Sequence, residues 1–412
     1  MKERKKVDIS ELRKVAVENR PDVDVWEVMK EANDLYEAVK LVGIQNVVDI
    51  EYRGNDKSEN GIPSRVGALA AYIMMHKYQM SDSASSVKRL GKHFGDISLD
   101  TILGYRFEMN KVALTSLSVT DIIAKYVGDD DGKKKKVVKK TWAQSLYEMI
   151  VKGNREIEAF SLWSECENLY NSIITVGLED TIIWLDNGPD NELELKGVEI
   201  PERMRAFALF VVVHMYRLRD DDIHMKNLED RYGLRTSVRT ILGDTDIFMD
   251  RLDNMQCLSL NEIVGRYFKE EKKRRVKVTT ICFNVPYKTI EMKLTDTEEF
   301  QNIYDLWEAL DSFYKASKIY GIDDVRVKYL DANRDEVKQS GRKIPARIRA
   351  FAEEAVIYMY RMNDSYGSRS RLERHLGLEY PSRYILGDTN VVCNSNNKSM
   401  PCISLKELVE KL

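Results

Sequence analysis

Apolar residues recur along the chain at two spacings, which predict helices in some segments and strands in others. Between Phe300 and Tyr320, large apolar side chains return every three or four residues, which predicts an amphipathic helix. Residues Val325 to Tyr329 alternate between apolar and charged or polar side chains, which is typical of a half-buried strand. The longest apolar run, Ala206 to Met215, follows Pro201 and is interrupted by His214. Because proline suits the first residue of a helix, we predict that a buried core helix begins at Pro201, and likewise at Pro63 and Pro345.

The same order of segments occurs three times, which predicts three tandem copies of one module. Ile200–Ala208 reappears as Ile344–Ala352, and Ile241–Thr245 reappears as Ile385–Thr389, with fainter versions of both in the first third of the chain. Matching residues of the second and third copies lie 144 positions apart, as at Gly177/Gly321, Pro201/Pro345 and Gly243/Gly387. Between the first and second copies the separation drifts from 134 to 139, as loops of unequal length allow. We therefore divide the chain into module 1 (1–132), module 2 (133–271) and module 3 (272–412).

Each module is expected to contain the same elements, which together give a mainly helical α+β fold. A basic segment precedes an amphipathic helix, a β-hairpin, a long apolar helix behind proline, and two short helices separated by glycine. Ser259 and Ser404 are each followed three residues later by glutamate, and such capping boxes mark the start of a terminal helix. Two short helices behind a long one predict a helix-turn-helix-like or winged-helix core in every module.

The pair of short helices resembles the C-terminal DNA-binding domain of replication initiators of the DnaA type. In that family, too, a long helix precedes a helix ending in glycine and a recognition helix, and Ser85–Gly95 carries the similarity best. The resemblance extends over a small part of each module and implies a DNA-binding helix-turn-helix. The family's basic loop, its Asp-His-Thr signature and its ATPase domain have no counterpart in this sequence, so its DNA contacts are not carried over.

Charge is distributed unevenly along the chain, and this favours module 3 as the part that contacts DNA. The chain has 64 Lys and Arg against 67 Asp and Glu, a net charge of −3. Residues 272–412 hold 25 of the basic and 20 of the acidic residues, so the first two modules are acidic in sum. Basic side chains bind phosphates and release counterions. We therefore predict a non-enzymatic protein that binds double-stranded DNA, either a transcriptional regulator or a replication or partition factor.

The candidate DNA contacts are basic and polar residues of the two short helices in each module. Module 3 supplies Arg369, Arg371, Arg374, His375, Arg383 and Tyr384. Module 2 supplies Arg231, Arg235 and Arg239, and module 1 supplies Lys88, Arg89 and Lys92. In module 1 an aspartate, Asp100, occupies the position of Arg383, so this module is not expected to read DNA in the same way.

Other interpretations of the repeats stay open. Modules built on a long apolar helix also suit a structural or scaffold protein that assembles with other subunits, or an inhibitor that docks on a host protein. The basic runs Lys133–Lys140 and Lys272–Lys277 are either arms that grip the DNA backbone or solvated linkers between modules. Arginines recur behind the three prolines, where the helix dipole disfavours a cation, so each is expected to contact a carboxylate or a bound phosphate. An ion pair with an acid of the first helix or hairpin is the favoured interpretation. The arginines are Arg65, Arg203 and Arg347, in all three copies, and Arg205 and Arg349, in two.

Several kinds of site are not expected in this sequence. It contains no nucleophile–base arrangement, paired-carboxylate signature or nucleotide-binding fingerprint, so we expect neither an enzyme nor a cofactor. The five histidines and five scattered cysteines lack zinc-ligand spacing, so no metal site is expected. Cys393 and Cys402 flank a possible hairpin, but we expect them to be reduced thiols rather than a disulfide. No apolar run is long enough to span a bilayer. We expect a cytoplasmic protein without membrane contact, nucleoid-associated if it binds DNA and nuclear if its host is eukaryotic.

Overall fold

The computed structural model of the chain is mainly helical with a few small sheets, as the α+β expectation requires. It describes residues 4–20, 22–50, 61–78, 84–103, 117–127, 139–154, 156–186, 192–216, 218, 222–243, 257–268, 282–284, 303–330, 336–360, 362, 366–387 and 404–411. No helix within these ranges is long and apolar enough to cross a membrane.

Most helices of the described residues fall into groups of equal length, with one member in each module. The helices of 18 residues are α2 (Val25–Val42), α8 (Ala159–Val176) and α13 (Ile303–Tyr320). Those of 14 residues are α3 (Ser64–Lys77), α9 (Glu202–Met215) and α14 (Ala346–Met359). The first short helices have 10 residues: α4 (Ala84–His93), α10 (Asp222–Arg231) and α15 (Tyr366–His375). The second short helices have 5 residues: α5 (Leu99–Leu103), α11 (Val238–Leu242) and α16 (Ser382–Leu386).

Further helices begin and end the modules. Two helices of 7 residues precede the long ones: α1 (Ser10–Ala16) and α7 (Gln144–Ile150). The terminal helices are α6 (Val119–Val127), α12 (Leu260–Tyr267) and α17 (Leu405–Lys411). The predicted capping boxes are confirmed, because the Ser259 and Ser404 hydroxyls accept from the backbone N–H of Glu262 and Glu407 at 3.3 and 3.2 Å. Each glutamate in turn accepts from the backbone N–H of its serine.

The strands of the described residues form one small sheet in each module. They are β1 (Lys5–Val7), β2 (Val47–Asp49), β3 (Lys139–Trp142), β4 (Thr181–Asp186), β5 (Glu192–Lys196), β6 (Cys282–Asn284), β7 (Arg326–Leu330) and β8 (Glu336–Ser340). The first strand pairs in parallel with the second, as β1 with β2, β3 with β4, and β6 with β7. The predicted hairpins are present as the antiparallel pairs β4–β5 and β7–β8.

Some predicted features lie outside the described residues. The hairpin partner expected in module 1 falls on residues 51–60. The wings expected after the second short helices fall on residues 104–116, 244–256 and 388–403, and the last of these ranges includes Cys393 and Cys402.

The 14-residue helices form the centre of each module because they are apolar on nearly every side. In α9, Phe207, Leu209 and Val211 point in different directions and all are fully buried. The helix packs against α8 on one side and α11 on another. The prolines before these helices lie at the N-cap, one residue earlier than predicted, as Pro201 does before Glu202. Their fixed φ, with extended ψ, directs the chain from the sheet into the helix.

A glutamate from the long helix caps the short helix before it in modules 1 and 2. Glu31 of α2 accepts hydrogen bonds from the backbone N–H groups of Glu11 and Leu12 at the start of α1. Glu165 of α8 does the same for Ser145 and Leu146 at the start of α7. Neither short helix has a side-chain cap of its own at its N-cap residue, so the cap comes from a residue about 20 positions later.

The three modules close into a ring. In each of the longest helices, α2, α8 and α13, the hydroxyl of one buried tyrosine donates to a carbonyl at the end of a 14-residue helix in another module. The pairs are Tyr36 with Met359, Tyr170 with Lys77, and Tyr314 with Met215. The terminal helices follow the same order, because α6 packs on α8, α12 on α13, and α17 on α2. The last of these contacts joins the end of the chain to its beginning.

Three more tyrosines, the axial tyrosines, meet at the centre of this ring. Tyr78, Tyr216 and Tyr360 directly follow α3, α9 and α14, and their ring centroids lie 5.5, 5.7 and 5.1 Å apart. All three are buried. Their hydroxyls donate in turn to the side-chain oxygens of Asn33, Glu167 and Asp311. Burial, together with nearby carboxylates, raises the pKa of each phenol well above its usual value, so each stays a neutral donor.

The ends of two basic segments belong to the sheets. Lys5 and Lys6 lie in β1, and Lys139 and Lys140 lie in β3, so these residues are neither free arms nor linkers. The Lys5 ammonium lies 4.0 Å from the ring centre of Tyr304 in module 3, and the Lys139 ammonium lies 4.3 Å from the Trp26 ring in module 1. The remaining residues of the predicted runs, 133–138 and 272–277, lie outside the described ranges.

Candidate nucleic-acid interface

Two of the predicted DNA contacts in module 3 are directed to one buried carboxylate. Glu354 of α14 accepts from Arg369 Nη1 at 2.5 Å, and its Oε1 lies 3.8 Å from Arg383 Nε. The same oxygen accepts from Ser382 Oγ at 2.7 Å. These charge-assisted contacts fix α15 and α16 to α14. Arg369 is buried in the cluster and offers little surface to a ligand, whereas Arg383 remains partly exposed.

Two other predicted contacts face the long helix of their own module rather than solvent alone. His375 Nε2 lies 3.0 Å from the carbonyl oxygen of Ser317 near the end of α13. Arg231 Nη2 donates to the carbonyl of Ile174 near the end of α8 at 3.3 Å. Burial lowers the pKa of Arg231 to about 10, which still leaves it protonated at neutral pH. Both side chains lie at the C-terminal end of a long helix, where the helix dipole favours a positive charge.

The other predicted residues are on the surface in all three modules. Those exposed are Lys88, Lys92, Arg235, Arg374 and Tyr384. Those partly exposed are Arg89, Arg239 and Arg371. The structure therefore leaves most of the predicted set accessible.

The second short helices are small for DNA recognition. Their 5 residues span about 7.5 Å at the helical rise of about 1.5 Å per residue, whereas the major groove is about 12 Å wide. α11 and α16 each end at a left-handed glycine, Gly243 and Gly387, which stops the helix after little more than one turn. Helices of this length do not provide the reading surface of an ordinary recognition helix.

The partner expected for Arg205 and Arg349 was wrong, because both contact backbone carbonyls instead of a carboxylate or phosphate. Arg349 Nε donates to Ile344 at 2.8 Å, and its Nη1 donates to Leu376 and Gly377 at 2.8 and 2.6 Å. Arg205 makes the corresponding bonds in module 2. The carbonyls at the end of α15 carry the negative pole of the helix dipole, so they stabilise the guanidinium. Each arginine thus ties the first short helix to the start of the long apolar helix.

Replacing Arg349 with methionine is expected to lower the free energy of unfolding by about 2 kcal/mol, because buried carbonyls lose their donor. Arg349→Lys should recover only a small part of this loss, since one ammonium cannot reproduce the planar fork. Urea unfolding of the intact chain measures both values, with exposed Arg374→Met as the control, expected to be within about 0.5 kcal/mol of wild type. Full recovery by lysine would contradict a role that depends on the fork.

A group of exposed cations in module 3, which we call the basic face, was missed by the sequence analysis. Its members are Arg326, Lys338, Arg342 and Lys343, and all four are exposed. Arg326 pairs with Ser340 across β7 and β8, so Lys338, two residues earlier, shares its side of the sheet. Buried Val327 defines the opposite side. Arg342 and Lys343 lie in the 3-10 turn that follows β8.

The basic face continues to the end of the first short helix. Arg342 Cγ lies 3.0 Å from the point that a Cβ on Gly377 would occupy. Arg349 Nη2 donates to the Arg342 carbonyl at 3.1 Å, while its Nη1 binds Gly377, so one side chain holds both segments together. Arg342 also lies 3.7 Å from Asp323, but both side chains are mostly exposed, so this ion pair is weak.

The same positions of module 2 are not basic. At the separation of 144 positions, the counterparts of the four cations are Ile182, Glu194, Val198 and Glu199. Aligning the two hairpins in the sequence shows that their charges differ at these positions. The sequence does not show that the positions share one exposed side, because that depends on the strand register, which the structure supplies.

The described residues contain no group of three or more His, Cys, Asp and Glu side chains placed to hold a metal ion. Cys166 and Cys257 are free thiols. Burial raises the pKa of the Cys166 thiol well above its usual value, so it is not an activated nucleophile.

No protein-family model, curated protein or solved structure matches the chain. The resemblance to the DnaA-type domain therefore rests on the short segment Ser85–Gly95 and its counterparts alone.

Proposed function

We propose that the protein consists of three copies of one module and acts as a non-enzymatic DNA-binding protein. The constant separation of 144 positions between modules 2 and 3 supports the first part. The helix lengths that recur from module to module support it as well. The copies have diverged on the surface while keeping their apolar positions, as expected when one copy has acquired a binding role that the others lack.

The basic face of module 3 is the observation that carries the DNA-binding proposal. Four exposed cations lie on one sheet face and the adjoining turn, where module 2 has two glutamates and two aliphatic residues. Such a cluster binds phosphates without sequence preference and fixes the register of the duplex. The exposed Arg374 is close in sequence to Gly377, which contacts the basic face, and extends the same charge.

The proposal is tested by measuring the affinity of the intact chain for a random duplex across a salt series. For the double variant Arg326→Glu, Lys338→Glu we expect the affinity at low salt to fall at least about tenfold. The slope of log affinity against log salt should become shallower by about two, because about one counterion is released per lost phosphate contact. Fluorescence anisotropy of the labelled duplex measures both quantities.

The double variant Lys140→Glu, Lys196→Glu is the matched control, because it changes the charge by the same amount on the equivalent sheet of module 2. It should change the affinity much less than the module 3 variant. Equal losses in the two variants would show that only net charge matters, and would contradict a site on module 3. Absence of binding by the wild-type chain at low salt would contradict DNA binding altogether.

A second candidate function is assembly with other protein subunits, and one observation on module 2 favours it. The outward face of its sheet carries Trp142 and Trp184, whose rings pack edge to face at 4.8 Å, together with Ile182. Trp142 is exposed. Apolar aromatic groups on an open sheet face are typical of protein contacts. Large ordered oligomers of the purified chain in light scattering would favour this function, and dissociation by Trp142→Ser would locate the contact.

A further inference from the structure

Two tyrosines of module 3 form an exposed pair next to the basic face. Tyr380 precedes α16 and Tyr384 lies within it, and their ring centroids are 5.7 Å apart with an interplanar angle of 39°. The side chains are 60% and 54% exposed. Tyr380 comes three residues after Gly377, the glycine that contacts Arg342. Three residues of chain span at most about 10 Å, so the backbone of Tyr380 lies within that distance of Gly377, beside which Arg342 packs.

This pair has no structural role of the kind that other tyrosines of the chain have. The axial tyrosines and the three that link the modules are buried and donate from their hydroxyls to protein oxygens. At the positions of Tyr380 and Tyr384, module 2 has Thr236 and Thr240, which are also exposed. Since module 2 has threonine at both of these exposed positions, the fold of the module does not need aromatic rings there.

We infer that Tyr380 and Tyr384 bind unpaired nucleotide bases by stacking, so that the preferred ligand of module 3 is single-stranded rather than duplex nucleic acid. This inference rests on the proposed function, because the basic face supplies the phosphate contacts. Exposed aromatic rings beside cations are the usual platform for single strands, since every base has a face on which a ring can stack. Arg383, next to Tyr384 and partly exposed, adds a charge beside the rings.

The short α16 gives an independent reason for this ligand. A helix of little more than one turn reads little of a major groove, and in a duplex the base faces are covered by their neighbours. In a single strand the bases are free to turn onto the protein. The exposed surface of module 3 therefore offers phosphate contacts and ring faces together, and its second short helix is too small to read a groove.

The test compares the affinity of the intact chain for an oligothymidylate of about 16 nucleotides with its affinity for a duplex of the same length. The wild-type chain should bind the single strand more tightly. The double variant Tyr380→Thr, Tyr384→Thr, which copies module 2, should lose about tenfold or more in affinity for the single strand. Its affinity for the duplex should change less than twofold, because the cations are unaltered. An oligouridylate of equal length separates RNA from DNA as the source of the bases.

The conservative variant Tyr380→Phe, Tyr384→Phe should retain single-strand affinity, because stacking requires the ring and not the hydroxyl. Phe160→Thr removes an equally exposed aromatic ring from module 2 and should leave it unchanged. If the threonine variant binds the single strand as wild type does, or if wild type prefers the duplex, the stacking inference is wrong and duplex binding still stands. If wild type binds neither probe at low salt, the proposed function itself fails.

Discussion

Replacing Glu353 with leucine is expected to raise the free energy of unfolding by about 2 kcal/mol or more at pH 7. Glu353 lies in α14 and is completely buried, and neither carboxyl oxygen has a hydrogen-bond partner among the described residues. A buried polar group without a partner destabilises the fold because it loses its hydration and gains no bond in return. The corresponding residue of module 2 is the fully buried Leu209, so leucine suits the space.

The effect of this substitution should depend on pH. Burial, and then the negative charges of Glu354 and Glu373, raise the pKa of Glu353 well above its usual value of 4.5, and Arg369 opposes them. The folded protein then holds a proton that the unfolded chain releases above about pH 4.5. Stability contributed by this group is therefore present in acid and decreases as the pH rises, by about 1.4 kcal/mol per unit, until the folded pKa is reached. The stabilisation by leucine should grow over the same interval and then become constant.

Urea unfolding of wild type and variants between pH 4 and pH 8 measures this dependence. Glu353→Gln is the informative companion, because it removes the titration and keeps a polar group of the same shape. It should abolish the decrease in relative stability with pH, yet remain less stable than the leucine variant in acid. A leucine variant that is less stable than wild type, or a difference that is constant with pH, would show that Glu353 is paired in the protein.

Periodicity and repeat register predicted much of the fold, because these features depend on residues close together in the chain. The capping boxes at Ser259 and Ser404 use partners three residues away, so the sequence alone identifies them. The same holds for the β4–β5 hairpin and the apolar helix α9. By contrast, the glutamate caps act over about 20 residues, and the tyrosine contact between Tyr36 and Met359 joins opposite ends of the chain. Such contacts depend on how the modules close, which no local pattern specifies.

The sequence does not reveal which residues of the candidate site are available to a ligand, because charge along a helix does not show which cations are already paired. Arg369 was predicted as a phosphate ligand beside Arg371, but its guanidinium forms an ion pair with the buried Glu354. Module 2 has Phe210 at the position of Glu354, so the repeat gave no sign of this pair. Arg349 bonds to carbonyls, which have no signature in the sequence. Arg326 and Lys338 belong to one exposed patch only because β7 and β8 pair in a particular register. For these reasons the interface that we propose lies mainly on the β7–β8 sheet of module 3, whereas the sequence placed it on the short helices.

Replacing Tyr216 with alanine is expected to lower the free energy of unfolding by about 3–5 kcal/mol. Its ring contacts those of Tyr78 and Tyr360, with centroids 5.5 and 5.1 Å away, and the Trp163 ring at 5.8 Å. It therefore contacts aromatic rings from all three modules at the point where they converge. The cavity left by alanine cannot be closed by the movement of one module, because the other two are held by their own tyrosine contacts. Urea unfolding followed by far-UV circular dichroism measures the loss.

Tyr216→Phe separates the hydroxyl from the ring. The Tyr216 hydroxyl donates to Glu167 Oε1, so phenylalanine should cost about 1–2 kcal/mol through the carboxylate left without that donor, and less than alanine. Since the ring joins three modules, the alanine variant should also unfold over a broader range of urea, as modules separate before they unfold. Exposed Tyr384→Ala is the matched control, with an expected change within about 0.5 kcal/mol. If Tyr216→Ala resembles that control, the axial tyrosines do not hold the ring closed.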